Sequence, residues 1–267
     1  MQKKQPLLTL KRTRHAKALA LGNQLWWVVL LVAVLGACQL EQQTPKSLEK
    51  QTQAQQYSIG SELAEDEKLN ELLSEYRSDL TEKMDVQIGA STDLLKKGLP
   101  ESKLGNLVCD LILERAETEG EPVDFAVLNN GGFRNVLPKG DLKVRHVFEM
   151  MPFDNELVVL TLAPKQMEEL MKYIAYGKGV PQSGMNITIA GGKVKEAYIG
   201  GEAWDKDKTY RVVTSDYLAE GGSRMSFFEA AESRVDLGIL LRDAILEYIE
   251  KQEEPISPQE DGRIEIL

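Results

Sequence analysis

The chain has 267 residues, 42 of them acidic and 32 basic, for a formal net charge of −10. That acidity argues against nucleic acid as a partner, because phosphate contacts need a basic face. It favours solubility and specifies no fold.

Residues 1–37 hold six Lys or Arg and no Asp or Glu, and they close in an apolar run from Leu25 to Ala37. The run is 13 residues, short of the roughly 20 that span a bilayer. A basic stretch, a short apolar stretch and then small residues read as a secretory signal. The junction Leu35-Gly36-Ala37-Cys38 resembles a bacterial lipobox, so residues 1–37 are expected to be a lipoprotein signal peptide and Cys38 the acylated N-terminus. Its removal takes the net charge to −16. Gln39, rather than Asp, after the cysteine points to the outer membrane of a two-membrane bacterium, with the domain facing the periplasm. Residues 38–60 are Gln-rich without apolar periodicity and read as a tether. Residues 61–267 form the globular part.

Residues 61–84 are highly charged, with Leu69, Leu72, Leu73 and Tyr76 at helical spacing, which predicts an amphipathic helix packing a narrow stripe. "MDVQIGAS" reads as a strand. Leu104, Leu107, Val108, Leu111 and Ile112 mark a helical face, and Cys109 within it reads as a buried, inert thiol. "VDFAVLN" and "ELVVLTL" are buried strands. Pro164 starts a helix at the position where its missing N–H costs least, with Met167, Leu170, Met171 and Ile174 as the buried stripe. "MNITIAGGKVKEAYIGG" is a hairpin turning at Gly191-Gly192. "TYRVVTSDYLA" is a central strand, and Leu237, Leu241, Ala244 and Tyr248 predict a last helix over 235–249. Helices and hairpins mixed in this order predict an α+β domain, mixed sheets covered by helices, rather than a doubly wound parallel sheet.

Past Cys38 there is one histidine, His146, and no HxH, DxH or HExxH spacing. A hydrolytic metal site wants several converging ligands with partners that orient them, so no catalytic or metal residue is assigned. His146 sits among apolar residues in "KVRHVFEMMPF" and reads as structural.

Three loops remain. "NNGGFR" (129–134) follows a strand. Its glycines allow close backbone approach, its N–H groups an anion nest, and Arg134 bidentate bonds to phosphate or carboxylate. The same residues also suit an ordinary tight turn. In "MMPFDN" (150–155), Phe153 is a core plug or a stacking platform. In "SDYLAEGGSRMSFF" (215–228), Tyr217 offers a ring, and Gly221 and Gly222 open the loop. Each loop lies at a strand end, where ligand sites gather.

With "ESKLGNLVCDLI" (101–112) and "YRVVTSDYLAEGG" (210–222), these loops resemble the C-terminal, substrate-recognition domain of the 5'-nucleotidase and UDP-sugar hydrolase family. The resemblance covers about residues 85–250. It implies a nucleotide or nucleoside ligand, its base held between Phe153 and Tyr217, its phosphate or ribose held by Asn129, Gly131, Gly132 and Arg134, with Gly221 and Gly222 beside it. It further implies that bond cleavage belongs to a metallophosphoesterase domain with two divalent metals, here expected on a separate partner chain, with no cofactor in this one. This chain departs from the pattern at Pro100, where an arginine is common, with Lys103 nearby but not equivalent. It departs again at Ser223, followed by Arg224, where Asp is common. The resemblance thus leaves three readings: half of a split 5'-nucleotidase, a stand-alone nucleotide-binding lipoprotein, and a degenerate structural lipoprotein.

Overall fold

The structure is a computed structural model that describes residues 66–267. The residues expected to form a signal peptide, Cys38 and the expected tether lie outside the described residues. Among the described residues no helix is long and apolar enough to cross a membrane.

The domain is α+β. Its centre is a five-stranded mixed sheet in the order β10-β4-β9-β2-β5. These strands are β2 (Phe125–Val127), β4 (Glu156–Leu162), β5 (Gln182–Ser183), β9 (Tyr210–Ser215) and β10 (Ser233–Leu240). Only β2 and β9 run parallel; the other neighbours in this sheet are antiparallel. Period-two alternation buries both faces. Phe125, Val127, Val158, Leu160 and Val212 join one core with α4 (Pro164–Gly177) and a second sheet. That sheet is β11-β6-β7-β8, built from β6 (Met185–Ala190), β7 (Lys193–Ile199), β8 (Glu202–Ala203) and β11 (Ile264–Ile266). Ala126, Leu128, Leu157, Val159 and Val213 join the other core with α2 (Lys103–Thr118), α3 (Val144–Met150) and α6 (Leu241–Glu250). A two-stranded ribbon, β1 (Gln87–Ser91) with β3 (Gly140–Lys143), lies beside this second core.

Most predicted elements form where expected. Leu104, Leu107, Val108, Leu111 and Ile112 are buried on α2, and burial pushes the Cys109 thiol well above its ordinary range. Pro164 opens α4, and Gly191 and Gly192, both at positive φ, turn the β6–β7 hairpin. His146 is structural: the Lys143 N–H donates to its Nδ1 at 3.0 Å, capping α3.

Three expectations fail. The strand read over "TYRVVTSDYLA" stops at Ser215, whose hydroxyl accepts the Leu218 N–H and caps a short helix, α5 (Asp216–Ala219). The helix α1 (Glu67–Met84) forms, but its apolar stripe does not pack: Leu69, Leu72, Tyr76 and Leu80 are all more than half exposed, and Leu73 only half-buried. The last helix begins at Leu241, not 235. Ser233–Leu240 is the edge strand β10, in which Val235, Leu237 and Ile239 alternate with exposed Arg234, Asp236 and Gly238. Gly238, at φ 66°, sits where the pairing with β4 shifts. Leu237 fits a helical spacing and a period of two equally well; pairing with β4 decided between them.

Candidate functional site

The topology brings the three loops to one end of the central sheet. β2 and β9 are parallel, so the Asn129–Arg134 loop after β2 and Tyr217 after β9 leave at the same end. The Thr214 hydroxyl donates to the Val127 carbonyl there, 2.8 Å away, tying the two exits together. β4 runs the opposite way, with Leu157 facing Ser215, so the Met150–Asn155 loop that feeds it arrives at this end too. β10 pairs antiparallel with β4, Leu240 facing Glu156, and delivers Arg242 at the start of α6.

The "NNGGFR" run forms a 3-10 turn over Asn130–Gly132. Neither Gly131 nor Gly132 has positive φ. The glycines make room for the Asn129 amide: a Cβ would stand 3.3 Å from its Nδ2 at Gly131 and 3.2 Å from its Oδ1 at Gly132. The Gly132 N–H is taken up by the Asn129 carbonyl. Phe133 is fully buried and anchors the turn, while Arg134 is exposed. The Arg134 N–H donates to the Met150 carbonyl at 2.8 Å, so this loop lies against the one carrying Phe153. The Arg134 guanidinium sits over the Phe153 ring, 5.6 Å from its centroid, a cation–π contact.

Phe153 is half-buried, packed in part on the core, so the plug reading is realised in part.

Tyr217 is 47% exposed. Its ring lies against Gly222, and its hydroxyl accepts the Ser223 N–H at 3.1 Å. Hydrogen bonding from Ser223 holds its phenol below the usual pKa. The Tyr173 hydroxyl donates to the Ser223 carbonyl at 3.1 Å. Ser223 and Arg224 adopt φ of 53° and 67°, so two tyrosines pin a left-handed turn. Gly221 is also required internally, since its φ of 80° lies in the left-handed region that a Cβ disfavours.

Two cations at this end carried no signal in the sequence. Arg242 is 9% exposed, stacked 4.3 Å from the centroid of Phe148, with Nη1 donating to the Phe153 carbonyl (3.2 Å) and Nη2 to Asp154 (2.5 Å). It reads as one of four charged residues on this helix; only the fold shows that it clamps the Phe153 loop. Arg242→Met should keep the packing but release the loop, at a cost of about 1.5–3 kcal/mol for the charged hydrogen bonds. Urea denaturation checks this, with Arg242→Lys recovering less than half of the loss because Lys lacks the fork. Lys97, also unforeseen, donates from Nζ to the Phe133 carbonyl at 2.7 Å, beside Arg134.

The departures also find their places. Lys103 is paired with Asp93 at 2.5 Å. The Pro100 backbone abuts Gly179, where a Cβ would stand 2.5 Å from its carbonyl. The "ESKLGN" motif is architectural here. Ser102 caps α2 by accepting the Gly105 N–H, and Asn106 donates to Glu101 and to the Gln259 carbonyl.

A recess of about 810 Å³ lies away from these loops, between α4 and the second sheet, lined by Met171, Val194 and Trp204. None of the predicted site residues lines it. Among the described residues, no three His, Cys, Asp or Glu side chains gather as metal ligands.

Comparison with known proteins gives a consistent set of matches. The family described as 5'-nucleotidase, C-terminal domain, matches residues 81–230. A 5'-nucleotidase of Vibrio vulnificus is 28% identical over 216 residues, 77% of this chain and 38% of that protein. A trifunctional nucleotide phosphoesterase, YfkN, of Bacillus subtilis is 31% identical over 214 residues, 72% of this chain and 14% of that protein. Among solved structures, a 5'-nucleotidase precursor from Thermus thermophilus aligns with a TM-score of 0.66 at 27% identity, covering 74% of this chain and 43% of that one. The chain therefore spans well under half the length of each of these three relatives.

Proposed function

The chain belongs to the 5'-nucleotidase C-terminal domain family, and from that premise we propose that it is the nucleotide-binding half of a split 5'-nucleotidase. The observation that carries this reading is the convergence of Asn129, Arg134, Phe153 and Tyr217 on one end of the central sheet. Phe153 and Tyr217 offer ring faces for a base, each worth about 1–3 kcal/mol and tolerant of base identity. Arg134, held among the described residues by a long 3.4 Å bond to the Gly131 carbonyl and by the Phe153 ring, is exposed and available to a phosphate. The glycines at 131, 132, 221 and 222 set the loops that carry these side chains.

Phosphate-ester cleavage needs positioned metal charge. In this reading two divalent metals belong to a separate metallophosphoesterase chain, as the family resemblance implies. The leader and Cys38 support export and lipid anchoring, at the outer membrane facing the periplasm in a two-membrane bacterium.

The test is calorimetry with AMP, UMP and UDP-glucose, together with phosphate release in Mn²⁺ with and without a candidate catalytic chain. Arg134→Ala should weaken binding about 10- to 100-fold, in line with loss of charge-assisted hydrogen bonds. Phosphate release should require the mixture. Binding without release in any mixture would favour the stand-alone nucleotide-binding lipoprotein, and neither binding nor release the degenerate one.

A further inference from the structure

The recess of about 810 Å³ between α4 and the second sheet is of the size that takes a small ligand, roughly 300–1,000 Å³. Its floor is apolar. α4 contributes Met171 and Ala175, both buried, and β7 contributes half-buried Val194. The turn after β8 contributes Trp204, whose backbone N–H donates to the Ala197 carbonyl at 2.9 Å. All four side chains belong to the core beneath or pack against it, so the floor is fixed.

The rim is cationic. Four exposed lysines, Lys165, Lys172, Lys193 and Lys206, stand against two acids, Glu168 and Asp207, in a chain whose net charge is −10. Lys172 is engaged by Glu168 at 3.2 Å and by Glu169 at 3.1 Å. The other three lysines form no ion pair among the described residues, and Lys206 lies over the Trp204 ring, 5.7 Å from its centroid. A cleft lined by one sign of charge concentrates the opposite one. The Trp204 indole N–H, in addition, is buried and meets no acceptor among the described residues. Buried donors are nearly always paired, and an acceptor on a ligand seated against the indole would pair this one.

We propose that the recess is a second binding site, separate from the candidate nucleotide site, for a small organic anion. Its apolar body rests on Met171, Val194 and Trp204, and its carboxylate, sulfonate or phosphate sits among Lys165, Lys193 and Lys206. A neutral apolar molecule would leave the ammonium groups unmatched, and inorganic phosphate would leave the apolar floor in water.

The test titrates the full chain with anilinonaphthalene sulfonate, followed by its fluorescence, and with phenylnaphthylamine, which keeps the rings and lacks the sulfonate. Lys165→Gln/Lys193→Gln removes two exposed charges, so stability should change little, which a melting curve checks. The wild type should bind the sulfonate, and this variant about tenfold or more weakly, in line with loss of charge-assisted contacts. Lys68→Gln/Lys83→Gln, which removes the same charge from α1, and Arg134→Ala should both leave sulfonate affinity unchanged. The neutral compound should bind the wild type and the Lys165/Lys193 variant alike, and more weakly than the sulfonate. No sulfonate binding by the wild type, or equal binding by the Lys165/Lys193 variant, would overturn the proposal. An equal loss in the α1 variant would reduce the effect to overall charge and overturn it too. Loss on Arg134→Ala instead would assign the anion to the Phe153 loop. Phosphatidylglycerol vesicles separate a membrane face from a ligand site: vesicle binding that needs Lys165 and Lys193, without sulfonate binding, would make the rim a lipid contact and sink the small-anion site.

Discussion

Arg263→Ala should lower the unfolding free energy by about 3 kcal/mol, the upper end for losing the hydrogen bonds of a charged group, because the guanidinium is buried although Asp110 and Asp261 stay half exposed. Arg263 has an 11% exposed side chain, bonded to Asp110 at 2.8 Å, Asp261 at 2.7 Å and the Gln182 carbonyl at 3.0 Å. Glu101, 8% exposed, lies 3.9 Å away and accepts the Asp261 and Gly262 N–H groups. The cluster fastens the C-terminal segment, and with it β11, to α2 and β5. For about 200 ordered residues the loss corresponds to roughly 6–12 °C in Tm. It also carries a pH signature. Arg263 holds the Asp261 carboxyl below its usual pKa. That contribution is present above the unfolded carboxylate value of about 3.9 and is lost as pH falls through the lower folded value. The stability gap between wild type and Arg263→Ala should therefore narrow in urea titrations taken from pH 7 to pH 3. A constant gap would show that packing, not charge, is what Arg263 supplies.

Gly222→Ala should dislodge Tyr217. A Cβ at this position would stand 2.3 Å from the Tyr217 carbonyl oxygen and 2.6 Å from its ring carbons. The carbonyl is backbone and cannot swing away, so the Gly221–Arg224 turn must shift, breaking the bonds that hold Ser223 to Tyr217 and Tyr173. Overpacking of this kind costs about 1–3 kcal/mol. Nucleotide affinity should fall at least as far as in Tyr217→Ala, which a loss of about 1–3 kcal/mol of stacking puts at roughly 5- to 150-fold. Calorimetry on both variants checks this. Wild-type affinity in Gly222→Ala would mean that Tyr217 is not a ligand platform.

The candidate site was legible as parts. Asn129, Arg134, Phe153 and Tyr217 each stood at a strand end, and each part alone had an ordinary turn or core explanation. What joined them was the pairing of strands far apart in the chain: β2 beside β9, and β9 beside β4. Arg242 stayed hidden because a charged residue in a helix is usually solvated, and only the Phe148 ring and the Phe153 carbonyl give it a role. The glycines show the opposite case. Their need for space was read as room for a ligand, whereas Asn129, Tyr217 and Glu229 fill that space.

Local pattern alone determined the helices α2 and α4, the strand β4, the β6–β7 hairpin and the α+β class. In each, apolar spacing matches one secondary-structure period and is bounded by Ser102, Pro164 or a glycine turn, so neighbouring residues suffice. Tertiary structure decided the rest. Residues 233–240 satisfy either period until β4 supplies the hydrogen bonds of an edge strand. The α1 stripe has the spacing of a packed helix, yet the second core is already closed by α2, α3 and α6, leaving Leu69, Leu72, Tyr76 and Leu80 in solvent. Spacing records which side chains could be buried together; whether a surface remains to bury them against is a property of the whole fold.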